Sequence, residues 1–279
     1  MPTPFLTFLE STPFPLIMGI LNTTPDSFSD GGRFTSIEKS LQHALKMQAD
    51  GADVIDIGGE STRPGASPVS LQEELARVIP VIKAVKAETD VYISVDTSKP
   101  DVMLAAANAG ADLVNDVRAL TEPNALETVA QLKLPVCIMH MQGQPKTMQA
   151  QPHYTNVSHS VIEFLSNRID ACVDAGIQRN HIIVDPGFGF GKSFEHNFQL
   201  LAEFADLKKL QLPILAGLSR KSMIATATGQ DVNHRVYGSI AGALICAQHG
   251  ANILRVHDVQ ATKDALAVWQ YTHKFIREY

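Results

Sequence analysis

Eight short runs of mostly β-branched or apolar residues punctuate the chain, each followed by a polar or glycine-containing break and then by a stretch with helical periodicity. The runs are Leu16 to Leu21, Val54 to Ile57, Tyr92 to Val95, Leu113 to Val114, Val136 to Met139, Ile182 to Val184, Pro213 to Ala216 and Ile253 to Val256. Continuous apolar runs fit strands buried on both faces, as in parallel sheets, better than the alternating pattern of half-exposed strands. Between them lie amphipathic helices. In Leu71 to Ala87, the residues Leu71, Leu75, Val78, Ile79, Ile82 and Val85 fall at three- and four-residue steps and make one apolar stripe. Gly51, Gly110, Gly176 and Gly250 each follow a helical stretch and precede a strand, where a left-handed helix cap is expected.

Strands alternating with helices imply right-handed crossovers and an all-parallel sheet, and eight such units are the number that closes a (β/α)8 barrel. An open doubly wound sheet is the alternative, because the pattern does not show closure. The 279 residues would make two domains at ~150 each, yet barrels of this kind reach about 250 residues as one unit. No linker or shift of composition cuts the chain, so a single domain over residues 1–279 is expected, with the barrel core from about residue 16. The opening, with Pro2, Pro4, Pro13 and Pro15, is expected to form a short extended cover over the barrel's amino-terminal end. Three intervals exceed simple turns: Thr23 to Phe34, Ser61 to Ser70 and Gln142 to Asn156. They follow strands one, two and five, and long loops in compact domains are usually functional.

Composition narrows the function. With 45% hydrophobic and 19% charged residues the chain can build a core. A net charge of −6 argues against broad binding to nucleic acid or anionic membranes, which requires a dominating basic face. An anionic ligand must therefore meet a local cluster of cations. No Lys or Arg precedes Arg33, and no apolar run approaches the ~18 residues of a membrane span, which points to a cytoplasmic protein. Cys137, Cys172 and Cys246 are far apart and odd in number, so they read as small buried hydrophobes.

A barrel carries its chemistry at the carboxyl ends of its strands. Strand one ends in Asn22, strand two carries Asp56 and runs into Glu60, strand three ends Asp96-Thr97, and strand four gives Asn115-Asp116. Strand five ends in His140, strand six in Asp185, strand seven in Ser219-Arg220-Lys221, and strand eight in Arg255-x-His257. Singly, any of these could cap a helix or sit satisfied in the core. Caps do not require this mixture of carboxylates, amides and cations at every strand. Lys221, Arg255 and His257 form the cationic end, where barrels frequently hold phosphate. Asp96, Asn115 and Asp185 offer acceptors and an amide donor that would suit a flat heterocycle with an amidine-like N–H edge.

The segment Asp185-Pro186-Gly187-Phe188-Gly189-Phe190-Gly191-Lys192-Ser193 contains a G-K-S, but a nucleotide phosphate loop needs Gly where Pro186 stands. Its glycines are expected to let the backbone approach a ligand while Phe188 and Phe190 line a pocket. The ten histidines show no H-x-x-x-H or H-E-x-x-H spacing, which speaks against a zinc hydrolase. Mg²⁺ is compatible with the chain because it needs only one or two protein oxygens plus substrate phosphates.

These residues carry a resemblance to the bacterial dihydropteroate synthases. Gly19 to Gly32, reading GILNTTPDSFSDGG, is similar to that family's first signature, and Asp56 to Ala66, reading DIGGESTRPGA, to its second. Further matches are Ser94 to Thr97, Asn115 to Val117, Met139 to Gly143, Asp185 to Lys192, Gly217 to Ser222 and Arg255 to Asp258, so the likeness spans roughly residues 16 to 260. It implies a (β/α)8 fold, a homodimer and a Mg²⁺-assisted reaction in which p-aminobenzoate displaces diphosphate from 6-hydroxymethyl-7,8-dihydropterin diphosphate. Carried over by position, the family's pterin contacts fall on Asp96, Asn115, Asp185, Lys221 and Arg255. Its diphosphate contacts fall on Asn22, Thr62, Arg255 and His257, with Asn22 also the metal ligand. The p-aminobenzoate region matches Thr62, Arg63, Pro64, Phe190, Ser219 and Arg220.

The implied order is dissociative, with diphosphate leaving before the amine attacks. Loops one and two are then expected to close over the complex and exclude water. Substituting Arg63 or Asp26 should lower turnover more than pterin diphosphate affinity. Two other readings stay open at this point: a catalytically silent pterin-binding paralogue, and the pterin domain of a corrinoid methyltransferase. Neither has reason to keep both loop signatures, which are complete here.

Overall fold

Each of the eight apolar runs forms a parallel strand. The computed structural model describes residues 3–23, 33–62, 65–143, 148 and 152–275. The strands are β1 (Leu16–Asn22), β2 (Val54–Gly58), β3 (Tyr92–Asp96), β4 (Leu113–Asp116), β5 (Val136–Met139), β6 (Ile182–Asp185), β7 (Leu215–Ala216) and β8 (Ile253–Val256). The helices are α1 (Pro4–Ser11), α2 (Arg33–Ala49), α3 (Leu71–Glu88), α4 (Pro100–Ala109), α5 (Ala125–Leu132), α6 (Val157–Asp174), α7 (Phe194–Ala202), α8 (Ser222–Thr228), α9 (Val236–His249) and α10 (Val259–His273). Neighbouring strands run β6-β5-β4-β3-β2-β1-β8-β7, and a parallel bridge between Val184 and Ile214 joins β6 to β7. That bridge closes the sheet into a (β/α)8 barrel and removes the open-sheet alternative.

β7 is shorter than the run that announced it. Pro213 has no N–H to give to a ladder, although its carbonyl still accepts from Val184 N at 2.9 Å. The predicted glycine caps hold: Gly51, Gly110, Gly176 and Gly250 have φ of 97°, 108°, 94° and 107°.

The strand period of two sorts each apolar run into two cores. Ile17, Ile55, Ile57, Ile93, Val95, Val114 and Ile138 face outward and pack under the helices. Leu16, Met18, Val54, Leu113, Cys137, Ile183, Leu215 and Ile253 face inward and fill the barrel's lower half. This is why the runs read as continuously apolar.

The opening segment departs from the extended cover expected of it. Residues Pro4–Ser11 are helical, with the Thr3 side chain accepting from Leu6 N at 3.4 Å and Pro4 in the first turn. Proline at that place lacks only an N–H that the helix could not have used, and its φ is already helical. The covering role survives. Phe5, Leu6 and Leu9 are buried against the inner core, and Phe5 meets Tyr92 edge-on at 5.3 Å. Each buried side chain is worth about 1.5–3 kcal/mol.

Candidate active site

Above the inner apolar layer, the inward positions change character. Continuing the same parity upward brings Gly58 on β2, Asp96 on β3, Asn115 on β4, Asp185 on β6, Gly217 after β7 and Arg255 on β8 around one space in the barrel, with Asp56 one inward position below Gly58. The two glycines supply room. A Cβ on Gly58 would lie 3.3 Å from Asp96 Cβ, and one on Gly217 would face Arg255 and Asp185. The polar groups therefore border a slot that side chains at these two positions would narrow.

Arg255 is the hub of this space. Its Nε donates to Asp56 Oδ2 at 2.6 Å, its Nη2 donates to Asp96 Oδ2 at 2.8 Å, and its side chain keeps 21% exposure. Asn115 Nδ2 also donates to Asp56 Oδ2, at 3.2 Å. Burial, followed by the negative charge of Asp56, pushes the Asp96 carboxyl up to about 7 although Arg255 pulls against them. Burial opposes the Arg255 charge, but Asp56 and Asp96 outweigh it and hold the guanidinium above its ordinary value.

Asp185 and Lys221 face one another across the slot. Asp185 Oδ1 accepts Gly187 N at 2.7 Å, and burial raises its carboxyl despite Lys221 and that hydrogen bond. Lys221 donates to the Phe188 carbonyl and lies 4.5 Å from the centre of the Phe190 ring. Burial lowers its ammonium to about 8, with Asp185 resisting. Lys221 thus interacts with Asp185, and the Arg255 charge also acts on it.

The expectation for the glycine-rich segment is corrected on two points. Phe188 lines no pocket: it is fully buried and stacks on Phe204 at 6.1 Å. Gly187 and Gly191 serve neighbouring backbone and not a ligand, since a Cβ would fall 1.9 Å from the His140 carbonyl oxygen and 2.3 Å from that of Gln142. Phe190 is half-buried beneath Lys221. Lys192 fastens this loop. Its Nζ meets Gly187 O at 2.8 Å, Phe190 O at 3.1 Å and His140 Nδ1 at 2.8 Å, three acceptors for the three donors of an ammonium. Burial, reinforced by Lys192, lowers His140 to about 2, which leaves its imidazole a neutral acceptor.

After β7, Ser219 is buried and its Oγ accepts His257 N at 3.3 Å and lies 3.1 Å from His257 Nδ1. Arg220 adopts a left-handed φ of 57° and its guanidinium pairs with Asp258, Nε to Oδ2 at 3.0 Å. On β1, Asn22 is half-buried at the strand's end. Thr62 borders a cavity of about 360 Å³ shared with Glu60, Asp96, Lys99 and Arg118. Lys99 donates to both Glu60 and Glu74, and Thr97 Oγ1 donates to Glu74, which pins the start of loop two to α3. Arg63, Pro64 and Asp26 lie outside the described residues, as does most of the first signature. A larger hollow, about 740 Å³, opens beside α1 at the opposite end of the barrel, away from every strand carboxyl end.

The sequence matches the profile of the pterin binding enzymes over residues 18–257. It is 60% identical over 258 residues to the dihydropteroate synthase of Haemophilus influenzae, covering 92% of this chain and 94% of that protein. The chain belongs to the dihydropteroate synthase family. The fold agrees with solved family members. A Yersinia pestis dihydropteroate synthase in complex with a sulfonamide drug superposes with a TM-score of 0.89 at 52% identity, covering 94% of this chain and 95% of that one. The Xanthomonas albilineans dihydropteroate synthase with 4-aminobenzoic acid gives 0.90 at 52% identity, and with 7,8-dihydropteroate 0.86 at 48%, each covering 95% of both chains.

Sequence reasoning placed Asp96, Asn115, Asp185, Lys221 and Arg255 at one site, and the structure brings them together. It noted Asp56 on its strand but gave it no place in the site. The missed signal was the charge itself, an Asp inside the apolar run Val54 to Ile57 and in phase with the inward residues. Lys192 and Lys99 left no comparable trace, because their partners come from other strands and loops.

Proposed function

We propose that the chain condenses 6-hydroxymethyl-7,8-dihydropterin diphosphate with p-aminobenzoate, giving 7,8-dihydropteroate and diphosphate. The observation that carries this reading is the grouping of Asp96, Asn115, Asp185 and Arg255 around a slot kept open by Gly58 and Gly217. The carboxylates accept the N–H edge of the pterin, Asn115 adds its amide, and Lys221 donates from the far side. Arg255 is placed to stack on the ring or reach the diphosphate, and His257, steadied by Ser219, lies next along the same strand end. Asn22 and Thr62 border the diphosphate from β1 and loop two. Phe190, Ser219 and the loop-two residues Thr62, Arg63 and Pro64 receive p-aminobenzoate. Arg220, tied to Asp258, supports that region by holding the turn after Ser219.

The chemistry needs little from the protein beyond positioning and charge. The methylene–oxygen bond breaks with its electron pair leaving on diphosphate, and the ring nitrogen system feeds electrons to the methylene carbon. The aniline nitrogen of p-aminobenzoate then forms the C–N bond and gives up its proton, which an acidic anilinium loses without a strong base. The enzyme's share is to hold the ring, neutralise the leaving group and exclude water.

Mg²⁺ fits the available donors. Among the described residues no cluster of three or more His, Cys, Asp or Glu forms a metal cage, while Asn22 offers one hard oxygen at the strand end. That suits an ion that keeps its waters and takes phosphate oxygens from substrate. Once bound, Mg²⁺ would supply charge neutralisation for the departing diphosphate.

A homodimer and a cytoplasmic site of action complete the reading. α7 and α9 pack together and expose Phe194, Phe198, Tyr237 and Ile245, an apolar face of the kind that a second copy covers. The three cysteines are buried free thiols, as suits a reducing compartment. The deciding assay incubates the pure protein with the pterin diphosphate, p-aminobenzoate and Mg²⁺ and follows dihydropteroate and released diphosphate. Formation of both is expected. Tight pterin binding without product would refute the catalytic reading in favour of a silent binder.

A further inference from the structure

Asp56 is fully buried inside the barrel, one inward position below Gly58. Two site residues converge on one of its oxygens: Arg255 Nε at 2.6 Å and Asn115 Nδ2 at 3.2 Å both donate to Oδ2. The other oxygen, Oδ1, has no hydrogen-bond partner among the described residues, and neither has Ser94 Oγ on the facing strand, in register with Asp56. An enclosed, half-satisfied carboxylate is a poor way to stabilise a barrel, since an apolar residue of similar size would serve at least as well. Its value must lie in what it does to the two groups above it.

Both effects follow from a carboxylate being an acceptor only. Toward Asn115, it selects the amide orientation in which Nδ2 points down, so Oδ1 is left as a third acceptor beside Asp96 and Asp185. Toward Arg255, it grips Nε and leaves the Nη groups to the slot. Asp96, 8% exposed, is the second carboxylate on Arg255 and is also the one a heterocycle reaches. If Asp96 alone held Arg255, a ligand engaging Asp96 would strand the guanidinium.

We propose that Asp56 is a positioning residue for the synthase reaction, fixing Asn115 as an acceptor and anchoring Arg255 while its Nη groups exchange Asp96 for the substrate. This rests on the reading that the slot binds the pterin. Asp56 acts through its neighbours and touches no substrate.

The test is Asp56→Asn in the full chain, assayed with Mg²⁺ at saturating levels of each substrate in turn. The Asn amide can keep its oxygen at the shared acceptor position, with its NH2 where the unpartnered Oδ1 stood, and removes the negative charge that anchors the Arg255 guanidinium. KM for pterin diphosphate should rise roughly tenfold to a hundredfold, the scale of breaking one partner of a buried charge pair. KM for p-aminobenzoate should stay within about twofold, because its region meets neither Arg255 Nε nor Asn115. The acid limb of kcat/KM for the pterin should move to lower pH. Burial, with the charges of Asp56, Asp116 and Glu74, raises the Asp96 carboxyl, and Arg255 lowers it. Removing the Asp56 charge therefore lets Asp96 ionise sooner. If Asp56→Asn does not fold, Asp56→Ser removes the charge, leaves room for a water at Nε and is read by the same split. Equal rises in both KM values, or an unmoved acid limb, would overturn the proposal. Absence of product from the unmodified protein would instead overturn the proposed function itself.

Discussion

Replacing Gly217 by Ala separates the stability of the barrel from its use. Gly217 follows β7 with the inward parity of Leu215, and a Cβ built there meets nothing closer than Arg255 Cβ at 3.7 Å and Asp185 Oδ2 at 4.0 Å. Those are ordinary contacts, and the backbone there is not left-handed, so the folded protein takes the methyl without strain. Losing glycine's freedom in the unfolded chain stabilises by about 0.4–1 kcal/mol, which raises Tm by roughly 1–3 °C for a chain of this size. The same methyl stands in the slot between two pterin-binding candidates. Forcing a ring past one extra carbon in a filled site costs about 1–3 kcal/mol. At about 1.4 kcal/mol per tenfold, that is a rise of roughly 5- to 150-fold in KM for pterin diphosphate. Thermal denaturation read beside steady-state kinetics tests both halves. A lowered Tm with an unchanged KM would refute the claim that Gly217 is there to leave room for a ligand. Gly58→Ala is the contrast, since its Cβ would press Asp96 Cβ at 3.3 Å and should move the carboxylate itself.

Lys192→Met should orphan three acceptors around a loop that carries Phe190, lowering stability by about 1–3 kcal/mol in urea denaturation. It should also raise KM for p-aminobenzoate more than KM for the pterin. Asp96, raised to about 7 from its ordinary 3.8, binds a proton more readily folded than unfolded. Its contribution to stability therefore falls as pH rises from 3.8 through about 7, and Asp96→Asn should gain on the parent protein across that window in denaturation curves taken at several pH values. Phe5→Ala, at the barrel's other end, should cost about 3–5 kcal/mol of stability with kcat and both KM values unchanged below the melting range.

The run from Val54 to Ile57 shows how far the chain reads by itself. Its period, its length and the Gly51 cap before it announce a buried parallel strand, and the structure places that strand within one residue of the reading. The same local signals hold for the other strands and for α3, because strand period, helix stripe and left-handed caps depend on residues a few positions apart. The polar residues at the strand ends were legible for a related reason: a barrel repeats one geometry eight times, so each strand's end faces the same space. Three features were not. Pro4–Ser11 is a helix because Thr3 caps it and the inner core receives Phe5, Leu6 and Leu9. Phe188 went to the core and Phe190 to a place beneath Lys221 because Gly187 and Gly191 press that loop onto β5's end. Asp56 joins the site through Arg255, 199 residues away, and through Asn115, two strands on. Closure of β6 on β7 brings strands two, three, four and eight around one axis, and only then does an isolated charge become one of two carboxylates on a shared guanidinium. Local chemistry specified the elements. Which of their charged groups meet, and how each is desolvated by the meeting, was decided by the closed barrel.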